Sequence, residues 1–262
     1  MLEQLREAMR QYLLPRRHSA LLVAIVTAFA VRPLLGDIGI GPVLFSIALL
    51  LLLVVALYTI QVDELTGKRE LLLVERRRRS IIGWALAMLA TIERVAVIFV
   101  QRHSLYLAGS ICWLLLFSFI TWNVLRAVLR QRDVTRETIS MSVSVYLLLG
   151  LTWGLLYIVL YNLQPLAFSF GGSPTSGPLA EQQVFPVLIY FSLTTLATVG
   201  YGDITPVTLQ ARYAAVAEGI TGQFYLAILV ARLVGIYMSR SFNQDASTQT
   251  PTTGTEKQGD RR

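Results

Sequence analysis

Residues 195–203 read TLATVGYGD. Glycines at 200 and 202 flank Tyr201, Thr198 stands two places ahead of the first glycine, and Asp203 closes the run. With so few bulky side chains, the chemistry on offer is that of the backbone. Glycine enters positive φ without a Cβ penalty. Alternated with Val199 and Tyr201, it lets successive carbonyls point the same way, which a regular strand forbids. A row of peptide oxygens on one side can take the place of a cation's hydration shell, which is the chemistry of a selectivity filter. A dinucleotide-binding turn is the rival reading of Gly-x-Gly, but no strand precedes these glycines and no Gly-x-x-Gly opens a helix behind them.

Other reactive side chains are sparse. Cys112 is the one cysteine, so no intrachain disulfide forms, and inside an apolar run it reads as a small buried hydrophobe. His18 and His103 are isolated and make no metal or catalytic set with it. A membrane enzyme would cluster titratable groups at one depth, and a carrier would show broken helices in two matching halves. The sequence has neither pattern, and it implies no organic cofactor.

The elements that must hold the run are strongly apolar. Charged residues make up 15% of the chain, against about 25% in a soluble domain, so a membrane is the expected solvent. Apolar runs near the ~20 residues that cross a bilayer as a helix lie at 19–35, 43–62, 80–100, 104–125, 141–163 and 207–238. Segment 184–196 is too short to span and suits a re-entrant helix. The expected fold is all-α: six transmembrane helices with a re-entrant pore helix and filter. A cytoplasmic segment, 1–18, precedes a four-helix membrane domain, 19–128, and a linker, 129–140. Residues 141–240 divide into a span (141–163), a loose outer turret (164–183), the short re-entrant helix (184–196), the glycine-rich run (197–203) and a last span (207–238). Residues 241–262 read as a disordered tail. In the first segment, Leu2, Leu5, Met9, Tyr12 and Leu13 keep helical spacing, as in a helix lying at the interface; a disordered charged segment fits the same residues.

The net charge of +7 is a matter of placement and does not call for nucleic acid. Eighteen of the 23 basic residues fall in four segments: 1–18, the loop with Lys68, Arg69 and Arg76 to Arg79, the stretch from Arg126 to Arg136, and the tail. In a six-span chain these alternate onto one side. The positive-inside rule then puts both termini in the cytoplasm of a multi-pass cell-membrane protein.

The stretch YFSLTTLATVGYGDITPVT (190–208) resembles the potassium-channel family, whose signature is Thr-x-x-Thr-x-Gly-Tyr-Gly. The likeness covers 141–238 well; outside it there is only a general likeness to six-span channels. It implies a homotetramer in a lipid bilayer, each copy giving one quarter of a K⁺ pore, with 141–240 as the pore domain: outer helix 141–163, pore helix 184–196, filter 197–203 and inner helix 207–238. Thr198, Val199, Gly200 and Tyr201 would supply the K⁺-binding carbonyl rings, with the Thr198 hydroxyl innermost. Gly202 would let the backbone leave the filter, and Asp203 would brace it from behind. Tyr190 and Phe191 match aromatic positions that pack around the filter tyrosine, and Thr194 stands where some relatives carry an acid.

The same likeness puts Gln223 among the first cavity-facing positions of the inner helix. At ~100° per residue, Ala227, Val230 and Val234 share its face, and the two valines suit a constriction that closes by dewetting. Gly222, with Gly219 before it, stands at the family's hinge; close helix approach explains such glycines equally well. Glu218 and Arg232 fall on the opposite face. An acid this deep is functional by default, and Glu218 is expected to hydrogen-bond behind the pore helix and hold the base of the filter. Arg232 is expected to snorkel to the interface or meet the segment after span four. Span four carries no arginine between 104 and 125, so a charge-moving voltage sensor is not expected. Glu93 and Arg94 in span three each need a polar contact, and Arg32 reads as an interface anchor. No long cytoplasmic domain follows span six, so gating falls to the membrane, pH, lipid or a separate regulatory chain.

Overall fold

The computed structural model describes residues 17–35, 41–66, 80–92, 103–131, 135–171 and 181–248. Seven helices and two short strands occupy these residues. In chain order they are α1 (Arg17–Leu35), α2 (Gly41–Thr66), α3 (Ser80–Ile92), α4 (His103–Arg130), α5 (Arg136–Leu163), β1 (Phe168–Phe170), α6 (Glu181–Leu196), β2 (Ile204–Pro206) and α7 (Leu209–Thr248). Helices α4, α5 and α7 are long and apolar enough to cross a membrane, over Leu105–Arg130, Glu137–Leu163 and Leu209–Arg232. Shorter apolar stretches occupy α1, α2, α3 and α6.

Helix α5 is the hub. Helices α1, α4, α6 and α7 all pack on it, and its Val145, Leu148, Leu151 and Leu155 are buried along one side. Its start is specified locally. Thr135 is the N-cap, its side chain accepting from Thr138 N while the Thr138 side chain accepts from Thr135 N, so two of the orphan donors at the helix start are satisfied. Glu137 in the first turn reaches sideways to α1, where its carboxylate accepts from the His18 amide at 3.3 Å and the Ser19 hydroxyl at 2.9 Å. A carboxylate at a helix N-terminus meets both the free N–H groups and the positive end of the dipole. At the same end of the bundle, the Arg232 guanidinium of α7 donates to the carbonyls of Val128 and Gln131, where α4 finishes. The start of α1, the end of α4, the start of α5 and the far half of α7 therefore lie together, as expected of Arg232.

Several boundaries differ from the sequence reading. Helix α4 runs past 125 to Arg130, so Arg126 and Arg130 sit on its last turns and not in a loop; Arg126 stacks over the Trp122 ring at 4.5 Å. Leu, Ala and Arg sustain a helix well, and nothing in Val124–Arg130 breaks it. Helix α7 continues to Thr248, taking in residues 241–248 that composition assigned to a disordered tail. Residues 168–170, within the expected loose turret, form β1. Glu93, Arg94, residues 1–16, the Gly/Pro-rich part of the turret (172–180) and the last residues, 249–262, lie outside the described residues.

Candidate ion-conducting site

Helix α6 ends at Leu196, and the backbone then folds back on it. Ala197 N donates to Leu193 O at 3.0 Å, Thr198 N to Thr195 O at 3.0 Å, Val199 N to Thr194 O at 2.8 Å and Gly200 N to Thr194 O at 3.3 Å. All these peptides are trans. In a planar trans unit the N–H and the preceding C=O point in opposite directions. The carbonyls of Ala197, Thr198 and Val199 are therefore turned away from α6, free to face something else. The backbone alternates in hand as it proceeds: φ is 57° at Thr198, 52° at Gly200 and 80° at Gly202. Thr198 has the one positive φ among the described non-glycine residues, a costly state for a β-branched side chain. A Cβ added at Gly200 or Gly202 would meet nothing within 4 Å. Backbone conformation, not space, demands glycine at those two places.

The exit from this stretch is anchored on the segment that follows α5. Gly171 N donates to Asp203 O at 2.7 Å, and Val207 N to Ala167 O at 2.8 Å. Between them β1 and β2 pair antiparallel, Phe168 opposite Pro206 and Phe170 opposite Ile204. The Asp203 side chain accepts from its neighbour Ile204 N at 3.0 Å. The Tyr190 phenol of α6 stands near the same carboxylate.

Behind the stretch the packing is aromatic and close. The Phe191 ring stands edge-on to Tyr157 and Phe168, with centroids at 5.0 and 5.4 Å. Position 191 falls on the face of α6 that looks toward α5, and its side chain is buried there. On the next residue, the Ser192 hydroxyl lies 2.6 Å from Gly150 O and also reaches the Glu218 carboxylate. Tyr157 donates to the other Glu218 oxygen at 2.6 Å. Thr194 and Thr195 direct their hydroxyls to Phe191 O, leaving their carbonyls for the folded-back N–H groups.

Glycines set how near the helices come. Added Cβ atoms at Gly150 and Gly154 of α5 would press into Leu193 and Ile189 of α6, and one at Gly222 of α7 would press into the Leu196 carbonyl. Gly219 has open space, its nearest neighbour Thr195 O at 4.0 Å. Helix α7 runs unbroken through both glycines. Gln223, Ala227, Val230 and Val234 are exposed along one side of it, and Glu218 is fully buried on the other.

Tyr157, Ser192, Phe168 and the pair Gly150/Gly154 were not singled out in the sequence. The glycines carried a readable signal, a small-xxx-small spacing within an apolar span. Ser192 and Tyr157 carried none, because what matters is a partner 26 or 61 residues away.

Residues 145–239, just over a third of the chain, match the family described as "Ion channel", a family of channels and not of enzymes. The chain is 29% identical over 113 residues to Protein LctB of Bacillus caldotenax, covering 43% of this chain and 81% of that protein. It is 27% identical over 167 residues to the voltage-gated potassium channel Kch of Escherichia coli (strain K12), covering 63% of this chain and 36% of that one. A second Protein LctB, from Geobacillus stearothermophilus, is 38% identical over 65 residues, covering 25% and 48%. The chain thus spans under half the length of two of these three relatives. No solved structure gave a significant match.

Proposed function

We propose that the protein is a potassium-selective channel, in which four copies bring residues 198–202 to a common axis and pass K⁺ down its electrochemical gradient. One observation carries this reading. The N–H groups that lead into TVGYG are committed to the end of α6, so the carbonyls of Thr198 and Val199 point the opposite way, and positive φ recurs at every second residue. Such a backbone has its oxygens available on one side, as replacement of an ion's hydration shell demands. In this reading Thr198, Val199, Gly200 and Tyr201 hold K⁺, Gly202 releases the chain, and Asp203, Tyr190, Phe191 and Thr194 support the site. Similarity to a relative named a potassium channel points the same way.

Tetramer formation is supported by α7. Only 11% of its apolar window is buried in one protomer, against 56% for α5. Tyr213, Val216, Ile220 and Phe224 stand more than half exposed beside the Gln223–Val234 face. Apolar exposure on two sides of one helix fits a pore lining and a neighbouring copy. All six apolar regions are taken to cross the membrane, with both termini cytoplasmic, and Val230 and Val234 form the constriction. With Arg126 and Arg130 confined to the last turns of α4, conduction depends weakly on voltage.

The test is K⁺ and Na⁺ flux from liposomes holding the purified protein, with particle size measured beside it. A tetramer with K⁺-selective flux that Val199→Asp abolishes is the expected result. A monomer, or equal K⁺ and Na⁺ flux, refutes the reading.

A further inference from the structure

We propose that Ser192 and Tyr157, acting through Glu218, are positioning residues for conduction: they lock the pore helix to the inner helix and so set where the filter carbonyls stand. This rests on the channel reading above. Three helices meet at the Glu218 carboxyl. It projects from α7, is fully buried, takes the Tyr157 hydroxyl of α5 at 2.6 Å and takes the Ser192 hydroxyl of α6. A buried carboxyl is costly unless its oxygens are hydrogen-bonded, and here each oxygen has one donor.

The contact is one of two in register. Residue 218 faces 192, and one turn further along both helices Gly222 abuts the carbonyl of Leu196. The first is a polar tie and the second a steric stop. Between them, on α6, lie the carbonyls of Leu193, Thr194 and Thr195, and these accept the N–H groups of residues 197–200. The peptide planes of the filter therefore hang from the one turn of α6 that α7 grips at both ends. A slide or rotation of α6 against α7 moves those acceptors, and the filter oxygens move with them. Ser192 Oγ also lies 2.6 Å from Gly150 O of α5, so its single proton is shared between that carbonyl and the carboxyl.

The experiment compares wild type, Ser192→Ala, Tyr157→Phe, Glu218→Gln, Glu218→Ala and the pair Ser192→Ala/Glu218→Ala, each reconstituted in liposomes. K⁺ and Na⁺ fluxes are measured per assembled particle, and assembly is measured separately by size. Wild-type K⁺ selectivity is established first; its absence sinks the channel reading itself and not this inference. Given it, Ser192→Ala and Tyr157→Phe are expected to assemble yet to lose K⁺ flux per particle by about tenfold, the effect of one lost hydrogen bond to a carboxyl. Their K⁺-over-Na⁺ ratio should fall as well. Glu218→Gln, which keeps an acceptor for Tyr157 and an amide beside Ser192, should retain most of the wild-type ratio. Adding Ser192→Ala to Glu218→Ala should cost less than Ser192→Ala costs in the wild-type background, only the contact with Gly150 O remaining to be lost. If the single-oxygen deletions Ser192→Ala and Tyr157→Phe assemble and leave both flux and ratio at wild type, the cluster is structural only and the inference falls. The same holds if Glu218→Gln is as damaged as Glu218→Ala. Should Glu218→Ala fail to fold, the two deletions decide the matter.

Discussion

Gly222 and Gly219 lie one turn apart on α7, and the structure separates them. A methyl group at 222 would stand less than 3.0 Å from the Leu196 carbonyl oxygen and 3.0 Å from its Cδ1. An ordinary carbon–oxygen contact is about 3.3 Å or more, so the carbonyl must retreat by roughly 1 Å. It cannot do so freely, because it ends the turn of α6 from which the backbone of residues 197–200 hangs. Overpacking of this kind costs about 1–3 kcal/mol, against which alanine returns about 1 kcal/mol of helix propensity. At 219 the nearest atom is 4.0 Å away, so the same substitution keeps the gain and meets no clash. Gly222→Ala should therefore lower the thermal midpoint of the detergent-solubilised assembly and reduce K⁺ flux per particle. Gly219→Ala should match or exceed wild type in stability. A Gly222→Ala protein as stable and as conductive as Gly219→Ala would show that α6 and α7 do not touch as described, and the packing argument would fail.

Two further outcomes follow from the same geometry. Gly154→Ala should destabilise by about 1–2 kcal/mol through overpacking against Ile189, and Ile189→Val, which deletes the methyl in the way, should restore part of the loss in a thermal melt. Arg232→Gln should uncap the carbonyls of Val128 and Gln131; faster amide hydrogen exchange confined to the last turns of α4, with the pore domain unchanged, is the expected reading.

How far the sequence alone reached can be seen residue by residue. TVGYG is legible because its demand is local: positive φ at alternate residues selects glycine wherever the chain sits, and Thr198 is tolerated at φ 57° where local strain is accepted. The existence of α4, α5 and α7 is likewise written in apolar runs long enough to cross a membrane, broken in α7 by Glu218 and Gln223. Element ends were less legible. Helices α4 and α7 outlast their apolar stretches because Arg, Ala, Ser and Asn do not stop a helix, and only neighbours decide whether the last turns are held, as Arg232 holds α4. Strand β1 was invisible because three residues have no period; it exists because β2, 36 residues later, offers it a partner.

The deeper division runs through Glu218. Helical geometry placed it away from Gln223, Ala227, Val230 and Val234, and its chemistry required a hydrogen-bond donor. Which donor was settled by the meeting of α5, α6 and α7, through contacts spanning 61 and 26 residues of chain. A residue's own preference for backbone angle or for lipid acts over one or two turns and is carried in the order of amino acids. The choice of a partner depends on which helix faces close together, and that is decided only when the whole bundle packs.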